Sequence, residues 1–130
     1  MDPIRIILAD DNPQFLHAAI DFLATDPQLE IVGQAKSGRE AVEQVVELHP
    51  HLVVMDLAMP ETNGLEATRQ IKAQADPPYI IVLTLYDNPE YRAEAKRVEA
   101  DGFVSKSDLG TLLLPLIHTL CNNNKAKVEI

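Results

Sequence analysis

Asp10, Asp11, Asp56, Thr84 and Lys106 have the types and surroundings that chemistry on a phosphoryl group requires. The apolar run Ile6-Ile7-Leu8-Ala9 leads to Asp10-Asp11, and Leu52-Val53-Val54-Met55 leads to Asp56. A packed core tolerates a carboxylate only where the strand stops, so these groups belong at strand ends. A third apolar run stops at Thr84, and Gly102-Phe103-Val104 leads to Ser105-Lys106, with Lys106 expected to end the fifth strand. Three carboxylates brought together repel, so either their pKa values rise or a divalent cation neutralises them. Carboxylate oxygens, waters and a backbone carbonyl suit Mg²⁺, whose usual partner is a phosphoryl group. Thr84 could donate a hydrogen bond to one phosphoryl oxygen and Lys106 neutralise another, which leaves Asp56 as the nucleophile for an acyl phosphate. Taken singly, each residue has a plainer use: Asp10 or Asp11 at a helix N-terminus, Thr84 bonded to backbone, Lys106 as a solvated charge. Their joint arrival at one edge is what points to a site.

That arrival depends on the elements. Residues 5–9 read as a strand covered on both faces. Asn12-Pro13 caps a helix with Phe15, Ala18, Ala19, Phe22 and Leu23 at helical spacing, and Asp26-Pro27 breaks it. Residues 29–35 form a second strand. Ser37 and Glu40 have capping-box spacing before an apolar stripe of Ala41, Val42, Val45 and Val46, which His49-Pro50 closes. After the third strand, residues 52–56, Pro60, Asn63 and Gly64 mark a loop; a helix bearing Leu65, Thr68 and Ile71 follows and stops at Asp76-Pro77-Pro78. The fourth strand is 79–84. Asn88-Pro89 opens a fourth helix with few large apolar residues, expected to pack loosely. The fifth strand precedes a final helix carrying Leu112, Leu113, Leu116, Ile117 and Leu120, in which Gly110 and Pro115 predict a late start or a kink. Five strands alternating with five helices require an α/β fold with a parallel sheet and right-handed crossovers. In the order 2-1-3-4-5, the crevice lies between the carboxyl ends of strands one and three.

Composition narrows the function classes. The 130 residues suit one domain, and a net charge of −9 argues against binding a nucleic-acid backbone while favouring a bound cation. No apolar run approaches the ~20 residues of a membrane span, and the first residues lack the features of a secretory signal, so a soluble, cytoplasmic protein is expected. The single cysteine, Cys121, reads as a core side chain and not as a nucleophile.

Residues 4–120 closely resemble the receiver domain of two-component response regulators. The likeness rests on Asp10-Asp11, on Asp56-Leu57-Ala58-Met59-Pro60 with Asn63-Gly64, on Thr84, and on Gly102-Phe103-Val104-Ser105-Lys106. It implies a flavodoxin-like (βα)5 three-layer sandwich and lends its own support to the strand order, of which the chemotaxis regulator of that family is an example. It also implies Asp56 as phospho-acceptor, with Mg²⁺ held by Asp11, Asp56 and the Ala58 carbonyl, and by Asp10 through water. Thr84, Lys106 and Phe103 would be switch residues. The donor would be a sensor histidine kinase or phosphotransfer protein, and no enzyme activity is implied beyond the chain's own phosphorylation and dephosphorylation. Residues 82–87 look most like the nitrate/nitrite-type class, whose receivers usually precede a helix-turn-helix DNA-binding domain. The 130 residues hold no such domain, so the chain reads as a stand-alone receiver or as one taken from a longer regulator, with 1–121 as receiver and 122–130 as tail.

Several positions depart from the family pattern. Ala58 offers no polar side chain, Leu85 is bulkier than usual, Phe103 lacks the hydroxyl of the commoner Tyr, and Ser107 replaces a frequent Pro, which makes a cis bond after Lys106 costly. Ala58, Leu85 and Tyr86 are therefore expected to prolong the aspartyl phosphate, by leaving its attacking water unpositioned or obstructed. Phosphorylation is expected to draw Thr84 inward and let Phe103 fill the space, reshaping the surface of the fourth helix, fifth strand and fifth helix, with a homodimer as one outcome. Two other readings compete. One is an interaction module that is never phosphorylated; the other is a Mg²⁺-dependent aspartyl-phosphate phosphatase, which wants a second acid where Ala58 stands.

Overall fold

The computed structural model describes residues 2–123. Five parallel strands, β1 (Ile4–Ala9), β2 (Leu29–Ala35), β3 (Leu52–Met55), β4 (Tyr79–Thr84) and β5 (Gly102–Ser105), form one sheet in the order 2-1-3-4-5. Between them run α1 (Pro13–Leu23), α2 (Gly38–Leu48), α3 (Gly64–Lys72) and α4 (Pro89–Arg97), and α5 (Leu114–His118) follows β5. This is the flavodoxin-like arrangement expected.

Alternation along the strands divides the core into layers. Ile6 and Leu8 of β1, Val54, Ile81, Leu83 and Val104 pack with Leu16, Ala19 and Leu23 of α1 and with Leu113, Ile117 and Leu120 around α5. On the other face Ile7, Ala9, Val53, Met55 and Ile80 meet Ala41 and Val45 of α2 and Ala67 and Ile71 of α3. A smaller cluster of Leu57, Val82, Ala95 and Phe103 lies beneath α4.

The helix starts follow from side-chain caps. Asn12, Asn63 and Asn88 accept backbone N–H groups of α1, α3 and α4, and Ser37 Oγ accepts Glu40 N–H at 3.1 Å. The capping box is not reciprocal, because the Glu40 carboxylate accepts from Lys36 N–H, one residue before the cap. At the amino-terminal end of the sheet, Asp101 exchanges backbone and side-chain hydrogen bonds with Ile80: Asp101 N–H donates to Ile80 O at 2.8 Å, and Ile80 N–H donates to Asp101 Oδ2 at 2.8 Å. The same carboxylate oxygen lies 2.6 Å from Lys72 Nζ of α3.

Lys106, Val46 and Ala18 depart from expectation. Lys106 does not end β5 but opens the single 3₁₀ turn after it, Lys106–Asp108. Val46 is 56% exposed and Ala18 is exposed, because the buried stripes of their helices run through Ala41 and Val45, and through Leu16, Ala19 and Leu23. The last helix does start late as a regular α-helix, at Leu114: a π-helical turn over Leu109–Leu113 leads into α5, and another over Thr119–Asn123 follows it. Pro115 has no N–H for the regular ladder, and the wider turn before it accommodates that loss while leaving Leu112 49% exposed. Asn122 and Asn123 thus lie in a helical turn, and the rest of the expected tail, 124–130, is outside the described residues. All peptide bonds of the described residues are trans, including the one after Lys106.

Candidate functional site

Parallel pairing brings the carboxyl ends of β1 and β3 level, with Ala9 opposite Met55. The next residue of each strand is an aspartate, and Asp56 N–H still donates to Ala9 O at 2.9 Å, so Asp56 leaves the sheet from a backbone that remains bonded to it. Asp10 and Asp56 are 4% and 5% exposed, whereas Asp11 is exposed. One carboxylate oxygen from each of the three lies within 4.8 Å of the others.

Asp10 Oδ1 accepts Asn12 N–H at 2.8 Å, and its Oδ2 lies 2.7 Å from Lys106 Nζ. Asp56 Oδ1 accepts Leu57 N–H at 2.8 Å, and its Oδ2 lies 3.6 Å from the same ammonium. Burial first, and the Asp10 charge second, push the Asp56 pKa upward against the opposing pull of Lys106 and Leu57 N–H. Three carboxylates facing one ammonium leave a deficit of positive charge, and an all-oxygen donor set of this kind fits a hard divalent cation such as Mg²⁺.

Backbone packing holds this edge in place. Gly64 N–H donates to Leu57 O at 2.9 Å, and a Cβ on Gly64 would lie 1.9 Å from Asp56 O, so only glycine lets α3 seat against the backbone of Asp56. Gly38 plays the same part for α2, since a Cβ there would lie 1.8 Å from Thr62 O in the loop after Asp56. Lys106 Nζ stands 4.0 Å from the centroid of the Phe15 ring, which steadies the ammonium from the side of α1. No local pattern in the sequence marks Gly38 or Phe15 for these contacts, because each meets a distant part of the chain.

Thr84 is fully buried at the end of β4, and its Oγ1 accepts Tyr86 N–H at 3.1 Å. Phe103 is already buried, among Leu57, Val82 and Ala95, so any filling of vacated space is a shift within the core and not an entry from solvent. Arg92 of α4 covers its ring, with Cζ 4.6 Å from the centroid. Ala58 is exposed, Leu85 is 72% exposed, and the half-exposed Tyr86 ring sits 5.9 Å from that of Tyr91. Cys121 is far from this edge in the fold, among the residues under α5, and burial pushes its thiol up to about 11, which leaves it unreactive at neutral pH. A groove of about 940 Å³ opens at the opposite, amino-terminal edge between Pro27, Pro50, Pro78 and Tyr79, and it contains none of the five residues named at the outset.

No helix among the described residues is long and apolar enough to cross a membrane. Residues 6–115 match the family described as response regulator receiver domain. The chain is 33% identical over 123 residues to the response regulator protein VraR of Staphylococcus saprophyticus, a match covering 93% of this chain and 58% of VraR. It is 43% identical over 86 residues to a protein-glutamate methylesterase/protein-glutamine glutaminase of Myxococcus xanthus, which covers 66% of this chain and 24% of that protein. The chain thus spans well under two thirds of these relatives. Among solved structures, a LuxR-family two-component response regulator from Aurantimonas superposes with a TM-score of 0.88 at 29% identity, over 94% of this chain and 87% of that one. The isolated receiver domain of RcsB from Salmonella enterica serovar Typhimurium, determined in the presence of the phosphomimetic BeF3−, gives 0.81 at 25% identity, over 98% of this chain and 93% of that one. With the family match running through all five strands and the acidic edge built on two of them, the chain belongs to the response regulator receiver domains.

Proposed function

We propose that the chain is a phosphorylation-controlled receiver, in which Asp56 accepts a phosphoryl group from a sensor histidine kinase or a phosphotransfer protein and the surface of α4, β5 and α5 changes in response. The observation that carries this reading is the buried Asp56 carboxylate, facing Asp10 and the Lys106 ammonium at the open end of the sheet. Asp56 Oδ1 is engaged by Leu57 N–H, so Oδ2 is the oxygen suited to attack phosphorus. The new O–P bond forms as the N–P bond of a phosphohistidine breaks, and the departing imidazole takes up a proton. Lys106 can follow the charge from Asp56 onto a phosphoryl oxygen, and Thr84, which only accepts in its bond with Tyr86 N–H, keeps its hydroxyl proton free to donate to another. Mg²⁺ bound by Asp11, Asp56 and the Ala58 carbonyl, with Asp10 through water, would neutralise the phosphoryl oxygens. The exposed methyl of Ala58 and the neighbouring Leu85 and Tyr86 give a slow loss of phosphate. The same reading has the chain acting in the cytoplasm, where a histidine kinase presents its phosphohistidine.

Intact mass after incubation with Mg²⁺ and acetyl phosphate or phosphoramidate tests it. Wild type gains one labile phosphoryl group and Asp56→Asn gains none; equal stoichiometry in the Asn protein would rule Asp56 out as acceptor. Asp11→Ala loses the Mg²⁺-dependent rise in melting temperature that binding to the native state produces.

A further inference from the structure

Phe103 carries no hydroxyl, so no hydrogen bond can fix its ring. Leu57, Val82 and Ala95 pack around the ring, and a polar contact is added by the guanidinium of Arg92, over it at 4.6 Å. That guanidinium is fixed in turn by two parallel hydrogen bonds to Asp87, Nε to Oδ1 at 2.7 Å and Nη2 to Oδ2 at 3.1 Å. A planar fork bound on one edge and stacked on its face has one orientation, which a lysine ammonium could not reproduce. Asp87 lies three residues beyond Thr84, and the segment between is secured to Thr84 by the bond from Tyr86 N–H to its Oγ1. An unbroken series of contacts therefore joins the hydroxyl beside the acidic site to the ring beneath α4.

We propose that Arg92 is the positioning residue that couples Thr84 to Phe103. With Thr84 bonded to Tyr86, the Asp87 carboxylate holds Arg92 over the ring; turning the hydroxyl toward a phosphoryl group on Asp56 takes Oγ1 from Tyr86 N–H, releases the backbone beside Asp87 and loosens the cover on Phe103. The inference rests on Asp56 being the phospho-acceptor. It gains force from α4 itself, where Ala95 is the only buried residue, so little else pins the helix that carries Arg92. Coupling of this kind is reciprocal. If the clasp favours the resting state, its removal must make the acidic site bind a phosphoryl analogue more tightly.

The test uses Mg²⁺ with beryllofluoride as the analogue, and the protein labelled with fluorophenylalanine at its three phenylalanines, Phe15, Phe22 and Phe103. Arg92→Ala and Asp87→Asn should each displace the Phe103 fluorine signal before any ligand is added, leave Phe22 unmoved, and raise beryllofluoride affinity about two- to fivefold, the range that one exposed ion pair and one cation–π contact can supply. Arg92→Lys should fall between wild type and Arg92→Ala. A purely structural Arg92 would lower the melting temperature and leave the affinity ratio at one, which overturns the coupling; so does an unmoved Phe103 signal, or an affinity that falls. Wild type that binds no beryllofluoride at Asp56 would instead overturn the reading on which the proposal rests.

Discussion

α3 and α4 are helices of equal length, nine residues each, both opened by an asparagine cap and both lying against the same sheet. α3 buries Gly64, Ala67, Thr68 and Ile71, while α4 buries Ala95 alone. Thr68 even returns its hydroxyl to Gly64 O at 2.8 Å, so the polar member of the α3 stripe is satisfied within the helix. The first helix is welded to the loop that carries Asp56; the second is held by Arg92, Asp87 and the contact of Tyr91 with Tyr86. One domain thus combines a helix that must not move, because the backbone of Asp56 is aligned through it, with one that a small energy can move.

The largest effect should come from Ile71→Ala, which empties a fully buried site and should cost about 2–5 kcal/mol in denaturant unfolding. Its counterpart in α4, Ala95→Gly, should cost about 1 kcal/mol, mostly through helix propensity. Equal losses would erase the contrast between the helices. Next comes Gly64→Ala, whose added methyl meets the backbone of Asp56; overpacking there should cost about 1–3 kcal/mol and reduce phosphoryl uptake at Asp56, measured by intact mass.

Asp56→Asn acts in the opposite direction. The folded state raises the Asp56 pKa above its unfolded value, so the native state binds more protons in the window between the two and stability falls as pH rises through it. Above that window the ionised carboxylate remains a standing cost, which asparagine removes. The variant should therefore unfold at higher denaturant than wild type at neutral pH, with the gain shrinking toward the ordinary carboxylate range, followed by urea titration across pH. The smallest effect is expected of Tyr91→Ala, which removes an exposed ring pair worth about 0.5–1.5 kcal/mol at most. It should speed amide exchange in α4 and leave α3 unchanged.

Much of this contrast is legible in the residues alone. The apolar runs before Asp10, Asp56 and Thr84 are long enough to declare buried parallel strands, and the poverty of large apolar side chains between Asn88 and Val98 declares a loosely packed helix. Val46 escaped because valine on a helix surface carries no mark that separates it from valine in a core. Lys106 reads as the end of β5 in the sequence but opens the turn after it, since the last strand residue and the first turn residue differ only in hydrogen bonding. The π-helical turns around Pro115 depend on how the chain resolves a missing donor, which a proline announces without specifying. Arg92 meets the Phe103 ring and Lys106 meets the Phe15 ring, and only the fold brings those pairs together.

The exchange between Asp101 and Ile80, with Lys72 attached, gains a different meaning from its distance to the site. Four residues on from that pair in each strand come Thr84 and Ser105, which are register partners. A slip of one residue would shift Lys106 by about 3.3 Å along the strand and turn Phe103 to the opposite face. Such a shift exceeds the 2.7 Å that now separates Lys106 Nζ from Asp10. A carboxylate with no part in the chemistry thus serves as the zero mark of a ruler, against which the lysine and threonine at the far end of the sheet are both measured.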